Sequence, residues 1–170
     1  MNELDRARLG LIPVLTERAP AGQIGRTALM KYMYFLQTLR GVPLRYSFTM
    51  YSYGPFDSEV LADLSSAEAM SIVKSSPVEF SGGYGYQIRP GTSAEFAKKS
   101  AFQFLNKHEK DITWLFATFG ALNSSELELA STIVYVDREF FERNEKCSVE
   151  SATNRVSDLK PHFTWEHVQK

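Results

Sequence analysis

The 170-residue chain predicts a single mainly α-helical domain with a small β part. Three observations carry this. Apolar residues recur at helical spacing before residue 41 and again after residue 91. Between these stretches lie short runs rich in aromatic and β-branched residues, punctuated by Gly and Pro. A hydrophobic content of 44% with 23% charged residues suits one globular unit with a real core.

The first helix is expected over residues 3–18, where Leu4, Ala7, Arg8, Leu11 and Leu15 fall on one stripe. Pro13 lies inside it, where it is expected to kink the helix, and Ala19-Pro20-Ala21-Gly22 forms a turn. The strongest helix spans 25–40. Leu29, Met33, Leu36 and Leu39 line one face, and Ala28, Tyr32 and Phe35 widen it, so this helix belongs at the centre of the core. Gly41 ends it, with Pro43 shortly after.

Residues 46–53 read as a strand buried on both faces and halted by Gly54-Pro55. A helix follows from about 57, with Asp57 as N-cap and Val60, Leu61 and Leu64 inward. Ser65 and Glu68 suggest a capping box that restarts or bends it. Ile72–Phe80 and Tyr84–Ile88 form two strands around Ser81-Gly82-Gly83.

The second half is helical. Thr92 and Glu95 box a helix carrying Phe96, Ala97, Ala101, Phe104 and Leu105. Another runs from about 108 to 119 and closes at Gly120. Asn123 and Glu126 cap a third, with Leu127, Ala130, Val134 and Phe141 at helical spacing. A fourth carries Val149, Ala152, Val156 and Leu159, and Thr164 caps a last short helix with Trp165 and Val168. The order helix-helix-strand-helix-hairpin is that of a winged helix. The reading is therefore one domain over 1–170, with a winged-helix-like part in 1–90 and a helical part in 91–170 packed on it.

Charge and cysteine usage narrow the setting. The net charge of −1 excludes a strongly basic nucleic-acid binder. Residues 1–50 hold seven Lys/Arg against three acids, whereas 121–150 hold seven acids against three bases, so the two ends carry opposite charge. Such a dipole favours self-association, as in a homodimer, or an acidic partner meeting the N-terminal face. The lone Cys147 and the lack of a leader or membrane span predict a cytoplasmic protein.

Some of these residues resemble a known family. Gly25-Arg26-Thr27-Ala28-Leu29-Met30-Lys31-Tyr32-Met33-Tyr34-Phe35-Leu36-Gln37 resembles the K-L-x-Y-x-x-Q helix of Panacea-type (SocA-like) and YwgA-like bacterial proteins. Tyr51-Ser52-Tyr53-Gly54-Pro55 matches the Y-x-Y-G-P strand that follows it, and Glu59–Leu64 resembles the next helix. Glu126–Ile133 and Leu159-Lys160-Pro161-His162-Phe163-Thr164 resemble later segments of the YwgA-like branch. The resemblance implies a small helical domain with a winged-helix-like part. For Panacea proteins it implies an antitoxin role, in which the protein binds and neutralises a partner toxin, sometimes as an adaptor to a protease.

The residues themselves predict no enzyme. There is no G-x-S-x-G, no Walker sequence and no H-E-x-x-H. Gly82-Gly83-Tyr84-Gly85 precedes a strand rather than a helix, so it suits a hairpin better than a phosphate. His162 and His167 are five apart, which does not align two metal ligands on one helix face. Cys147 has no base beside it in sequence. No catalytic, cofactor or metal residue is assigned.

Two binding readings stay open. In the first, the chain is a protein–protein interaction module, antitoxin-like, whose surface comprises Arg26, Lys31, Tyr34, Tyr51, Tyr53 and Phe56. Tyr51 and Tyr53 share one face of the strand and serve either the core or a partner. The alternative is a winged-helix DNA-binding regulator. The helix after Gly54-Pro55 opposes it, because Asp57, Glu59, Asp63 and Glu68 would repel phosphates.

Overall fold

A computed structural model describes residues 1–80, 82–164, 166 and 168. Among these residues the chain forms eight α-helices and two antiparallel hairpins. The helices are α1 (Glu3–Arg18), α2 (Arg26–Arg40), α3 (Ser58–Ala69), α4 (Ala94–Ser100), α5 (Phe102–Lys107), α6 (Glu109–Phe119), α7 (Ser124–Glu142) and α8 (Val149–Leu159). The hairpins pair β1 (Thr49–Tyr51) with β2 (Gly54–Phe56), and β3 (Val73–Phe80) with β4 (Gly83–Pro90).

Two helices form the centre. In α2 every residue from Leu29 to Leu36 is buried, so the helix is enclosed on all sides as its apolar girth demands. Gly41 closes it in the left-handed conformation, with φ +65°. In α1 the run from Ala7 to Thr16 is buried without a break. Gly10 lets α4 approach closely: a Cβ there would lie 2.9 Å from the Ala97 carbonyl oxygen. Around α2 stand α3, α6 and α7, with Phe35 stacked on Phe119 at 4.0 Å. Asn2 caps α1, and Asn123 with Glu126 caps α7, in reciprocal capping boxes.

Several expectations need correction. The strand expected over 46–53 is only Thr49–Tyr51, and Gly54-Pro55 is not a stop but the start of the strand that pairs back on it. The reason lies in side chains that take the backbone groups of residues 44–47. Arg8 donates to the Leu44 and Arg45 carbonyls, Gln37 bonds both the N–H and C=O of Tyr46, and the Ser47 N–H goes to Asp57. A ladder there would have to give up these bonds.

The Ser65–Glu68 box does not form. α3 runs on through it, with the Ser65 hydroxyl bonded back to Leu61 and Glu68 accepting from Ser75. Ser93 rather than Thr92 stands at the N-cap of the next helix, without a side-chain capping bond, and Glu95 pairs with Lys98 instead of closing a box. That helix also breaks at Ala101 into α4 and α5. Phe141, at helical spacing with Leu127, Ala130 and Val134, is exposed where those three are not. Of the β3–β4 turn, Ser81 lies outside the described residues, as do Trp165 and His167 of the expected last helix.

Candidate functional site: a tyrosine hairpin over two buried lysines

The β1–β2 hairpin is three residues to a strand, with Ser52-Tyr53 as its two-residue loop. Its register pairs Thr49 with Phe56, Met50 with Pro55 and Tyr51 with Gly54. Gly54 has φ +87°, a conformation that costs side-chain-bearing residues dearly. So short a ladder is not self-supporting in water. It is held from below by charged side chains drawn from three distant segments.

Lys31 of α2 is 2% exposed and donates to the Pro55 carbonyl at 2.8 Å. Lys160, just past α8, is also 2% exposed and donates to the Tyr51 carbonyl at 3.0 Å and to the Ser52 carbonyl. Glu128 of α7 supplies the counter-charge, its Oε1 3.1 Å from Lys160 Nζ and 3.3 Å from His162 Nε2. These are ion-pair distances rather than aligned hydrogen bonds. Gly54 sits against this group so tightly that a Cβ would lie 3.0 Å from Ser131 Oγ and 3.2 Å from Lys31 Nζ.

Two ammonium groups share one buried carboxylate. Burial holds the Lys31 amine down at about 8; Glu128 pulls it upward and the like charge of Lys160 presses it further down. A depressed lysine is one requirement of amine nucleophiles. Here the amine is enclosed and bonded to a backbone carbonyl, so its visible work is to fix the hairpin.

Above this base the two tyrosines face outward: Tyr51 is 64% and Tyr53 71% exposed. Tyr51 leans on half-buried Phe56 with ring centroids 5.5 Å apart. The surface expected from sequence therefore separates. Lys31, Tyr51, Tyr53 and Phe56 do come together, with Lys31 beneath the others. Tyr34 is buried, edge-on to Phe48. Arg26 is exposed but stacks on Tyr86 of the other hairpin at 3.7 Å.

The basic N-terminal face is likewise dispersed. Arg18 pairs with Glu109, and Arg40 pairs with Asp111 while stacking on Trp114. Arg8 is buried; it bonds Glu59 at 3.1 Å, lies 3.6 Å from Asp63 and caps the Tyr46 ring at 4.0 Å. The Tyr46 hydroxyl donates to Asp63 at 2.7 Å. Burial raises both the Tyr46 phenol and the Asp63 carboxyl above their ordinary ranges. Two of the acids expected to face solvent on α3 thus help pin residues 44–47 to α1.

Sequence reasoning missed Arg8, Glu128, Ser131 and Lys160. A signal existed for three of them. Arg8 falls on the apolar stripe of α1, and Glu128 and Ser131 sit beside Leu127 and Ala130 on the inward side of α7. Lys160 follows α8 and gave no periodic signal, only its place in the Leu159–Thr164 segment. Among the described residues no group of three or more His, Cys, Asp or Glu is placed to hold a metal ion. No described helix is long and apolar enough to cross a membrane. Cys147 is exposed, and its thiol is pushed up by partial burial and by the nearby Asp137. No family model and no curated protein matches the chain.

Proposed function

We propose that the chain is a non-enzymatic, cytoplasmic protein-interaction module of antitoxin type, which binds a partner protein through Tyr51 and Tyr53. The observation that carries this reading is the pair of exposed tyrosines on a hairpin fixed by buried charge. Tyrosine offers a large contact area at small entropic cost, and prior fixing of the loop lowers the cost further. The neutralising mechanism is occlusion, with the hairpin tip filling a pocket on the partner. The Y-x-Y-G-P resemblance supports the antitoxin class, since the matching residues are the ones that build the tip and its glycine.

The succession α1, α2, α3, then the β3–β4 hairpin supports a winged-helix-like core, with β1–β2 inserted before α3. Use of that core on duplex DNA is disfavoured by exposed Glu59 at the start of α3. The test is coexpression with the product of the adjacent gene, reading complex formation by size-exclusion chromatography and growth rescue. Wild type is expected to form a complex and restore growth, and Y51A/Y53A to fold normally yet do neither. Equal binding by the double variant, or a neighbour that wild type ignores, contradicts the reading.

A further inference from the structure

A second region carries an independent observation. Between the later turns of α2, residues 46–48 and α7 runs a cleft of about 370 Å³. Its walls are aromatic: Tyr34, Tyr46, Phe48 and Tyr135 line it. Phe48 meets Tyr34 edge-on at 5.1 Å and Tyr46 at 5.6 Å, which fixes the rings against one another. A volume of this order is ample for a small organic ligand.

The polar groups on the wall are mostly committed. Gln37 is held by the Tyr46 backbone, and the Tyr46 hydroxyl by Asp63. Glu139 takes two hydrogen bonds from Arg155, both at 3.1 Å, and has Arg143 at 3.7 Å. Arg138 differs. Its Nε is buried without a hydrogen-bond partner, and among the described residues its guanidinium enters no ion pair. A guanidinium is always charged, and its planar fork suits a carboxylate in a bidentate pair. Glu142 stands at the outer rim, exposed, and sets a weak opposing charge there.

We infer that this cleft binds an aromatic carboxylate, its ring against Tyr34, Phe48 and Tyr135 and its carboxylate on Arg138. The ligand is either a free small acid or the C-terminal aromatic residue of a peptide, and the two share this chemistry. The inference does not depend on Tyr51 and Tyr53 contacting a partner.

The experiment is NMR titration of the full chain with benzoate, benzamide, N-acetyl-phenylalanine and N-acetyl-phenylalanine amide. Saturable binding of at least one acid is expected, with its amide weaker by roughly tenfold or more. Benzoate alone binding points to a free acid; N-acetyl-phenylalanine alone points to a peptide end. R138M is expected to lose roughly tenfold in affinity, and R138K to retain part of it, because charge survives without the fork. R138M should melt at the wild-type temperature, since the guanidinium has no ion pair among the described residues to lose. Absence of saturable binding by both acids, amides that bind as well as acids, unchanged affinity in R138M, or a marked fall in its melting temperature each overturns the inference.

Discussion

The two hairpins are opposite solutions to one problem. β3–β4 is eight residues to a strand, with an eight-pair ladder of its own. It is tied in at its base, where Val73 and Ile88 are buried and Ile88 exchanges two hydrogen bonds with Ile24, and midway by the Ser75–Glu68 bond and by Arg26 stacked on Tyr86. Its outer end carries Tyr84, 79% exposed. β1–β2 is three residues to a strand and is fixed instead by Lys31, Lys160 and Glu128. Burying such ions is expensive and stabilises little on balance. Their return is placement: the tip can move only if a charge is left alone in the interior.

The comparison can be broken most severely at Glu128. E128A strands the Lys160 ammonium in the interior and removes the charge that pulls Lys31 upward; it should cost about 3–5 kcal/mol, read as a large fall in melting temperature. A variant that melts like wild type would mean the lysines are solvated and the hairpin is not ion-locked. Next is G54A. The positive φ and the contacts with Ser131 and Lys31 should cost about 1–3 kcal/mol by denaturant unfolding, while G83A at the other hairpin, where a Cβ meets nothing within 4 Å, should suffer only the backbone strain of its positive φ.

A smaller effect separates the hairpins by pH. Lys31 has an ordinary value of 10.5 when unfolded and about 8 when folded. Between those values the unfolded chain binds more protons, so stability rises with pH through the window and the gain is lost as pH falls to about 8. Buried Tyr32, Tyr34 and Tyr46 work the other way from about pH 10, where unfolded phenols ionise and the folded ones resist. Urea midpoints of wild type relative to K31M should therefore climb between about pH 7.5 and 9.5. A constant difference would place the Lys31 amine in water. The smallest effect is expected at the outer end of the other hairpin, where Y84A should change stability by no more than about 0.5 kcal/mol.

The same contrast marks what a sequence can say. Helices are legible because their apolar period, caps and glycine stops are local: Gly41 closes α2, Asp57 caps α3, and Asn123 with Glu126 caps α7. The pairing of β3 with β4 is legible for the same reason, from two strand-like runs close in sequence. The β1–β2 hairpin is not, because its cause is non-local. Arg8 lies 36 residues from Leu44, and Lys160 lies 109 from Tyr51. No window of neighbouring residues contains both partners. The candidate site is half legible. The aromatic pattern picks out Tyr51, Tyr53 and Phe56, but Lys31 and Tyr34 belong to a buried stretch of α2 and take no part in the exposed hairpin surface. The orphan guanidinium of Arg138 has no sequence signal at all, since α7 carries many charges and most of them are exposed or paired.

Buried charge from the C-terminal segment fixes the tyrosine hairpin. Hydrogen–deuterium exchange of wild type and K160M tests it most directly, because both hairpins are read in one experiment. Thr49–Phe56 is expected to lose protection in K160M while Val73–Phe80 and Gly83–Pro90 exchange as in wild type. Unchanged protection across Thr49–Phe56 in a folded K160M would contradict it.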